Sequence, residues 1–221
     1  MVWCSWVLTG TSLFSVELTR NARDAGVILS SYLASASQPA SKQLPELPLL
    51  QKILSRNKLK VLELGAGCGI VGITLSQVFY SQVSQVLLTD LNEASEILAQ
   101  NLSPAVLNSP NSSKISHQVL DWSSPLPLNV NSTSWDLIVV ADCTYNPDVV
   151  PDLVATLKLI TEESKEAVIL LAMKVRHDSE LIFFDLMKEK HFVVKEKCAI
   201  PLPALGGEDE EIEIFVFGSA G

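Results

Sequence analysis

The sequence has no paired-cysteine motif. Its four cysteines, Cys4, Cys68, Cys143 and Cys198, are scattered, with no C-x-x-C among them. Zinc sites need clustered ligands and disulfide frameworks need dense cysteines, so neither is indicated. Unpaired cysteines fit a reducing, intracellular compartment. Met1 to Phe14 is apolar but holds no Lys or Arg. It therefore lacks the basic start of a secretory signal and is too short to span a bilayer. Without a signal, the N-x-S/T triplets at Asn101, Asn111 and Asn131 read as chance. Basic residues are also scarce, with 16 Lys and Arg against 25 Asp and Glu and a net charge of −9. Nucleic-acid binders meet phosphates with Lys and Arg, so this balance argues against one. Together these absences lead to a cytoplasmic protein with no metal and with neither nucleic acid nor membrane as partner; a monomer is expected.

The chain does have ample apolar material, 48% of 221 residues, enough for one sizeable domain. We assign residues 19–221 to that domain and residues 1–18 to an N-terminal extension. Ala25, Ile28, Leu29, Tyr32 and Leu33 share one face of a helix. Gln38 to Pro48 reads as a polar linker. Strands are predicted at about Lys60–Leu64, Val86–Thr89, Ile115–Leu120, Leu137–Ala141 and Val168–Met173. Helices are predicted between them. One runs from Ile70 to Tyr80. A second, capped by Asn92, carries Ile97, Leu98 and Leu102. A third opens at Asn146-Pro147 and buries Val150, Leu153, Leu157 and Ile160. A fourth follows Asp178 and runs through Met187. The last two strands, about Phe192–Cys198 and Ile212–Phe217, have no helix between them and should pair antiparallel. Alternating strands and helices of this kind make an α/β doubly wound sheet.

In such sheets ligands bind beyond the carboxyl ends of the strands. Four signals fall there. The first is Glu63-Leu64-Gly65-Ala66-Gly67-Cys68-Gly69, after a buried strand. Glycines allow a tight turn and close ligand approach. The dinucleotide pattern G-x-G-x-x-G fails, because Ile70 stands where its third glycine belongs. The second is Asp90, whose carboxylate can accept from both hydroxyls of a ribose. NAD enzymes place an acid similarly, so Asp90 alone does not choose the cofactor. The third is Asp121-Trp122, where a carboxylate can accept from an adenine amino group and an indole can wall the ring. The fourth is Ala141-Asp142-Cys143-Thr144-Tyr145. Here Asp142 can hold an amine and Tyr145 can offer its ring face to a cation.

The E-x-G-x-G-x-G pattern resembles motif I of the S-adenosylmethionine-dependent methyltransferases. With Thr89-Asp90-Leu91, Val119-Leu120-Asp121-Trp122 and Ala141-Asp142-Cys143-Thr144-Tyr145 in that order, the chain resembles the family-16, methyltransferase-like-21-type protein lysine methyltransferases. The resemblance runs from about Ala22 to Gly218. It implies a Rossmann-like seven-strand methyltransferase sheet, order 3-2-1-4-5-7-6, whose last strand is antiparallel. It implies S-adenosyl-L-methionine as cofactor, held by Gly65, Ala66, Gly67, Asp90, Trp122 and Ala141, with Glu63 and Asp121 beside them. It implies Asp142 and Tyr145 as the D-x-x-Y catalytic pair. The substrate would be a lysine side chain of a cytosolic protein, a translation factor or chaperone by analogy. Arg23 departs from the pattern, standing where the family has a tryptophan that contacts the cofactor. Arginine cannot reproduce an indole wall, though it can stack or form an ion pair. Trp3 and Trp6 lie far upstream with no motif around them.

Two alternatives remain at this level. One is methylation of another amine or a small molecule, although Cys143 and Thr144 replace the two prolines typical of amide and base methylases. The other is a catalytically silent binding module that keeps the fold. The acidic run Glu208-Asp209-Glu210-Glu211 reads as a solvated loop or as one side of a cleft for a basic segment.

Overall fold

A computed structural model describes residues 25–37, 44–103, 114–174, 182–202 and 210–220. The extension at 1–18, Arg23, and Glu208 and Asp209 lie outside the described residues. Seven strands form one sheet: β1 Leu59–Leu64, β2 Val83–Asp90, β3 Ile115–Val119, β4 Leu137–Ala141, β5 Val168–Met173, β6 Phe192–Pro201 and β7 Glu211–Ser219. Their order is β3-β2-β1-β4-β5-β7-β6. Strands β1 to β5 run parallel, and β7 pairs antiparallel with both β5 and β6. This is the expected order and the expected direction of the last strand.

Covered strands need apolar residues on both faces. In β5 every residue from Val168 to Met173 is buried, and in β4 only Ala141 is partly open. Alternation sorts the side chains between two layers. Leu59 and Val61 pack toward α1 Ala25–Ala36, α2 Pro48–Leu54, α3 Ile70–Val78 and α4 Ser95–Asn101. Leu62 and Leu64 pack toward α5 Leu128–Asn131, α6 Val150–Glu163 and α7 Ile182–Glu189. The predicted faces of α1 and α6 are buried. Tyr32 keeps its hydroxyl satisfied by donating to the Pro45 carbonyl at 2.9 Å, and burial pushes its phenol pKa up.

Four local expectations change. Helix α2 was not anticipated. Its first-turn N–H groups of Leu49 and Leu50 donate to the Glu196 carboxylate at 2.7 and 3.2 Å, and no local side chain caps it. Its orphan donors are met by β6, far along the chain. Helix α6 starts at Val150, with Pro151 in its first turn, not at Asn146-Pro147. Asn146 Oδ1 instead accepts from the Asp148 N–H at 3.1 Å, closing a turn of its own. Asn92 opens a short 3₁₀ turn ahead of α4 and makes no cap. Strand β2 begins at Val83, earlier than predicted, because Val83 and Gln85 pair with Leu59 and Lys60.

Candidate active site

Register brings the strand ends together. Leu64 lies beside Thr89 on one side and Val140 on the other, and Ala141 lies beside Ala172. Beyond these ends a cavity of about 470 Å³ opens, a volume suited to a small-molecule ligand. Gly65, Gly67, Asp90, Asp121, Trp122, Asp142 and Tyr145 line it. Seven of the predicted site residues thus meet in one place.

The loop after β1 forms its floor. Gly65 has φ +65°, and a Cβ there would come within 2.5 Å of Cys143 Sγ and 3.3 Å of Trp122 Cζ2. Gly67 has φ +56° and an open side, with nothing within 4 Å of a Cβ. The first glycine therefore admits the two walls, and the second leaves backbone bare to a ligand. The loop is tied down by Ala66 N–H donating to the Thr89 carbonyl at 3.0 Å. Asp90 takes the Gly67 N–H on Oδ2 and the Leu91 N–H on Oδ1, both at 2.7 Å. Each oxygen keeps lone-pair capacity for a further donor. Asp121 accepts from the Ser123 N–H at 2.9 Å and from its hydroxyl at 2.8 Å, on one oxygen. These bonds hold its pKa below the usual carboxylate value. Thr156 of α6 donates to the Trp122 carbonyl at 3.3 Å and anchors that wall.

The opposite wall is the turn after β4. Asp142 has φ +56°, a left-handed conformation that Asp tolerates better than most residues. Its N–H donates to the Ala172 carbonyl at 2.9 Å, fixing the turn on β5. Tyr145 is 66% exposed at the mouth.

Three predicted residues do not line the cavity. Ala66 is buried behind its own N–H bond. Ala141 ends β4 beneath the turn, its carbonyl facing the Cys143 thiol. Glu63 alternates with Leu62 and Leu64 and so points to the other layer. It is 2% exposed, and its Oε2 accepts from the Gly72 N–H of α3 at 2.8 Å. Burial, with Asp90 adding to it, pushes its pKa from 4.5 up to about 8 against the Gly72 bond. Glu63 seats the helix that follows the loop; it does not face the cavity.

The structure adds Leu91, Leu120, Ser123, Cys143, Asn146, Val149 and Asp152 to the lining. Ser123 adjoins a motif, and Leu91, Leu120 and Cys143 lie within the motifs, but the sequence assigns none of the four a role. Val149 and Asp152 depend on where α6 starts. Among the described residues the lining holds four carboxylates, Asp90, Asp121, Asp142 and Asp152, and no Lys or Arg. Such a cavity favours a cationic ligand. Among the described residues no group of three or more His, Cys, Asp or Glu could hold a metal ion. None of the helices described is long and apolar enough to cross a membrane.

A seven-strand sheet in this order, with its cleft at the carboxyl ends, is the Rossmann-like fold of methyltransferases. The solved precorrin-6y C5,15-methyltransferase from Geobacter metallireducens GS-15 superposes with a TM-score of 0.55 at 14% identity, covering 83% of this chain and 93% of that one. That likeness speaks for the fold. The chain belongs to the lysine methyltransferase family, whose model matches residues 15–190. Protein N-lysine methyltransferase METTL21A of Xenopus tropicalis is 33% identical over 138 residues, 62% of this chain and 58% of that protein. The UPF0665 family protein C23C4.06c of Schizosaccharomyces pombe is 31% identical over 167 residues, 76% of this chain and 46% of that protein. The chain thus spans about half the length of these curated relatives.

Proposed function

We propose that this protein is an S-adenosylmethionine-dependent protein-lysine N-methyltransferase, acting as a monomer in the cytosol. The observation that carries the reading is a cavity that joins the glycine loop to the Asp142–Tyr145 turn, with four carboxylates and no Lys or Arg among its described lining residues. Its residues fit the cofactor. The bare backbone at Gly67 gives room for the amino-acid end. The spare lone pairs of Asp90 suit the ribose hydroxyls. The second oxygen of Asp121 and the ring of Trp122 suit the adenine. Four carboxylates match a ligand with a positive sulfonium.

When bound, the cofactor supplies a methyl group open to in-line attack by a neutral amine. The chain's part is to position that amine and limit water. Asp142 would accept a hydrogen bond from the lysine amine and aim its lone pair inward. Tyr145 would lay its ring against the amine and stem, an arrangement that favours a cation on arrival. The ammonium proton leaves to solvent through the open mouth beside Tyr145.

The test is incubation of the full chain with labelled S-adenosylmethionine and cell lysate, followed by mass spectrometry of the labelled band. Label on a lysine of a protein supports the reading. Label on a glutamine amide, a nucleic-acid base or a small molecule overturns the substrate class. Calorimetric binding of S-adenosylhomocysteine without any label points to a silent binding module.

A further inference from the structure

Between the two walls lies Cys143, a buried side chain to which the motifs give no part. Its Sγ is 3.2 Å from the Ala141 carbonyl, 3.5 Å from that of Leu64 and 3.7 Å from that of Gly65. A thiol is a weak donor, and sulfur bonds run long. Pairing between β1 and β4 ends at Leu64 and Val140. Beyond that point the ladder no longer holds the glycine loop against the Asp142 turn. The thiol sits where the ladder stops, in reach of the last carbonyls of both strands. It also fills the space above Gly65, where a Cβ would lie only 2.5 Å from it.

We propose that Cys143 is a positioning residue, its thiol and its volume fixing the gap between Gly65 and Asp142. The proposal rests on the methyltransferase reading, because that gap separates the cofactor loop from the amine-holding turn. Gly65 and Cys143 then form a matched pair: the size allowed at one is set by the other. Burial, then the charges of Asp90 and Glu63, push the thiol pKa far up, so it stays protonated at neutral pH. Cysteine attacks as the thiolate. Held neutral, Cys143 does not compete with the substrate amine for the methyl group.

The test is a double-mutant cycle read by calorimetry with S-adenosylhomocysteine and by denaturant unfolding of the full chain. Gly65→Ala should weaken binding by about a hundredfold, and adding Cys143→Ala should win back about tenfold, since the pair is in direct contact. Cys143→Ser should bind within about threefold of wild type, because the hydroxyl keeps the donor. Simple addition of the two losses overturns the proposal. If Gly65→Ala does not fold, Cys143→Val asks the question from the other side. Its branched methyls should press on Gly65, costing about tenfold in affinity and lowering the unfolding midpoint as overpacking does. Unchanged affinity there overturns the matched pair. A cofactor-free readout is alkylation by iodoacetamide with mass mapping. Cys143 should stay unmodified in the native chain and react once the chain is unfolded. Rapid native alkylation overturns the protected thiol. If wild type binds no S-adenosylhomocysteine, the cofactor reading fails, and the unfolding cycle and the alkylation still decide whether the contact exists.

Discussion

The two walls of the cavity are built differently. On the side of β1, β2 and β3, the polar groups already have partners. Both oxygens of Asp90 are held by backbone N–H groups, one oxygen of Asp121 is held by Ser123, and the loop is pinned to Thr89. On the side of β4, Tyr145 stands largely in solvent and Asn146 closes its own turn. Preorganised groups suit a ligand of constant shape, because little ordering cost remains to be met on binding. An open rim suits a macromolecule, which brings its own surface to complete the site. On the proposed function, the first wall is the cofactor side and the second the substrate side. Substitutions at three positions test that division, and one at Glu63 tests the layer behind it.

The largest effect is expected from Gly67→Arg. No protein atom obstructs a Cβ there, so the fold should survive. The left-handed backbone would strain by about 1–2 kcal/mol, and a cation would enter a site built for one. S-adenosylhomocysteine affinity should drop more than about a hundredfold by calorimetry. Near-normal affinity in a folded variant would break the assignment of the first wall.

Asp142→Asn comes next. Asn tolerates the same left-handed turn, so the charge goes while the backbone stays. Losing a charge-assisted hydrogen bond costs about 1.5–3 kcal/mol, hence about tenfold to a hundredfold in methyl transfer. Cofactor affinity should barely move. An equal loss in both measurements would erase the distinction between the walls.

Tyr145 should matter less. If its ring face holds the amine, Tyr145→Phe retains turnover and Tyr145→Ala loses about fivefold, the scale of an exposed cation–π contact. Equal losses would assign the work to the hydroxyl.

Glu63→Gln should leave cofactor affinity nearly unchanged and show itself in stability instead. Between 4.5 and about 8 the folded chain retains a proton that the unfolded chain has released. Stability from this group is therefore full at low pH and is lost as pH rises through that window. Gln can still accept the Gly72 N–H but does not titrate. Wild type should lose stability relative to the variant up to about pH 8 and hold a constant difference above it. Parallel curves across that range would mean that Glu63 is ionised inside the fold.

How legible was all this? The strand order was, because buried runs, turn residues and the final hairpin are local signals. The seven cavity residues were, because each sits within four residues of a strand end. Helix α2 was not, since the carboxylate that holds its first turn comes from Glu196 on β6. The start of α6 was missed because Asn146 and Pro147 suit a turn as well as a helix opening. Glu63 sits in the right motif, but strand alternation turns its side chain to the opposite layer. Cys143 was passed over because its contacts with Leu64 and Gly65 bring together residues far apart in sequence.

The placement of β7 bears on how the chain leaves the ribosome. Among the described residues, β7 follows β6 in sequence yet sits inside the sheet, between β5 and β6, so β6 emerges before its neighbour exists. Until Ser219 has cleared the exit tunnel, β5 presents an apolar edge with no hydrogen-bonding partner on that side. Such an edge invites pairing with other chains. The nascent chain is therefore exposed to misassembly in the interval when β1 to β6 are made and β7 is not. Loss of Glu211–Ser219 would open the sheet from within, leaving β6 with nothing to join.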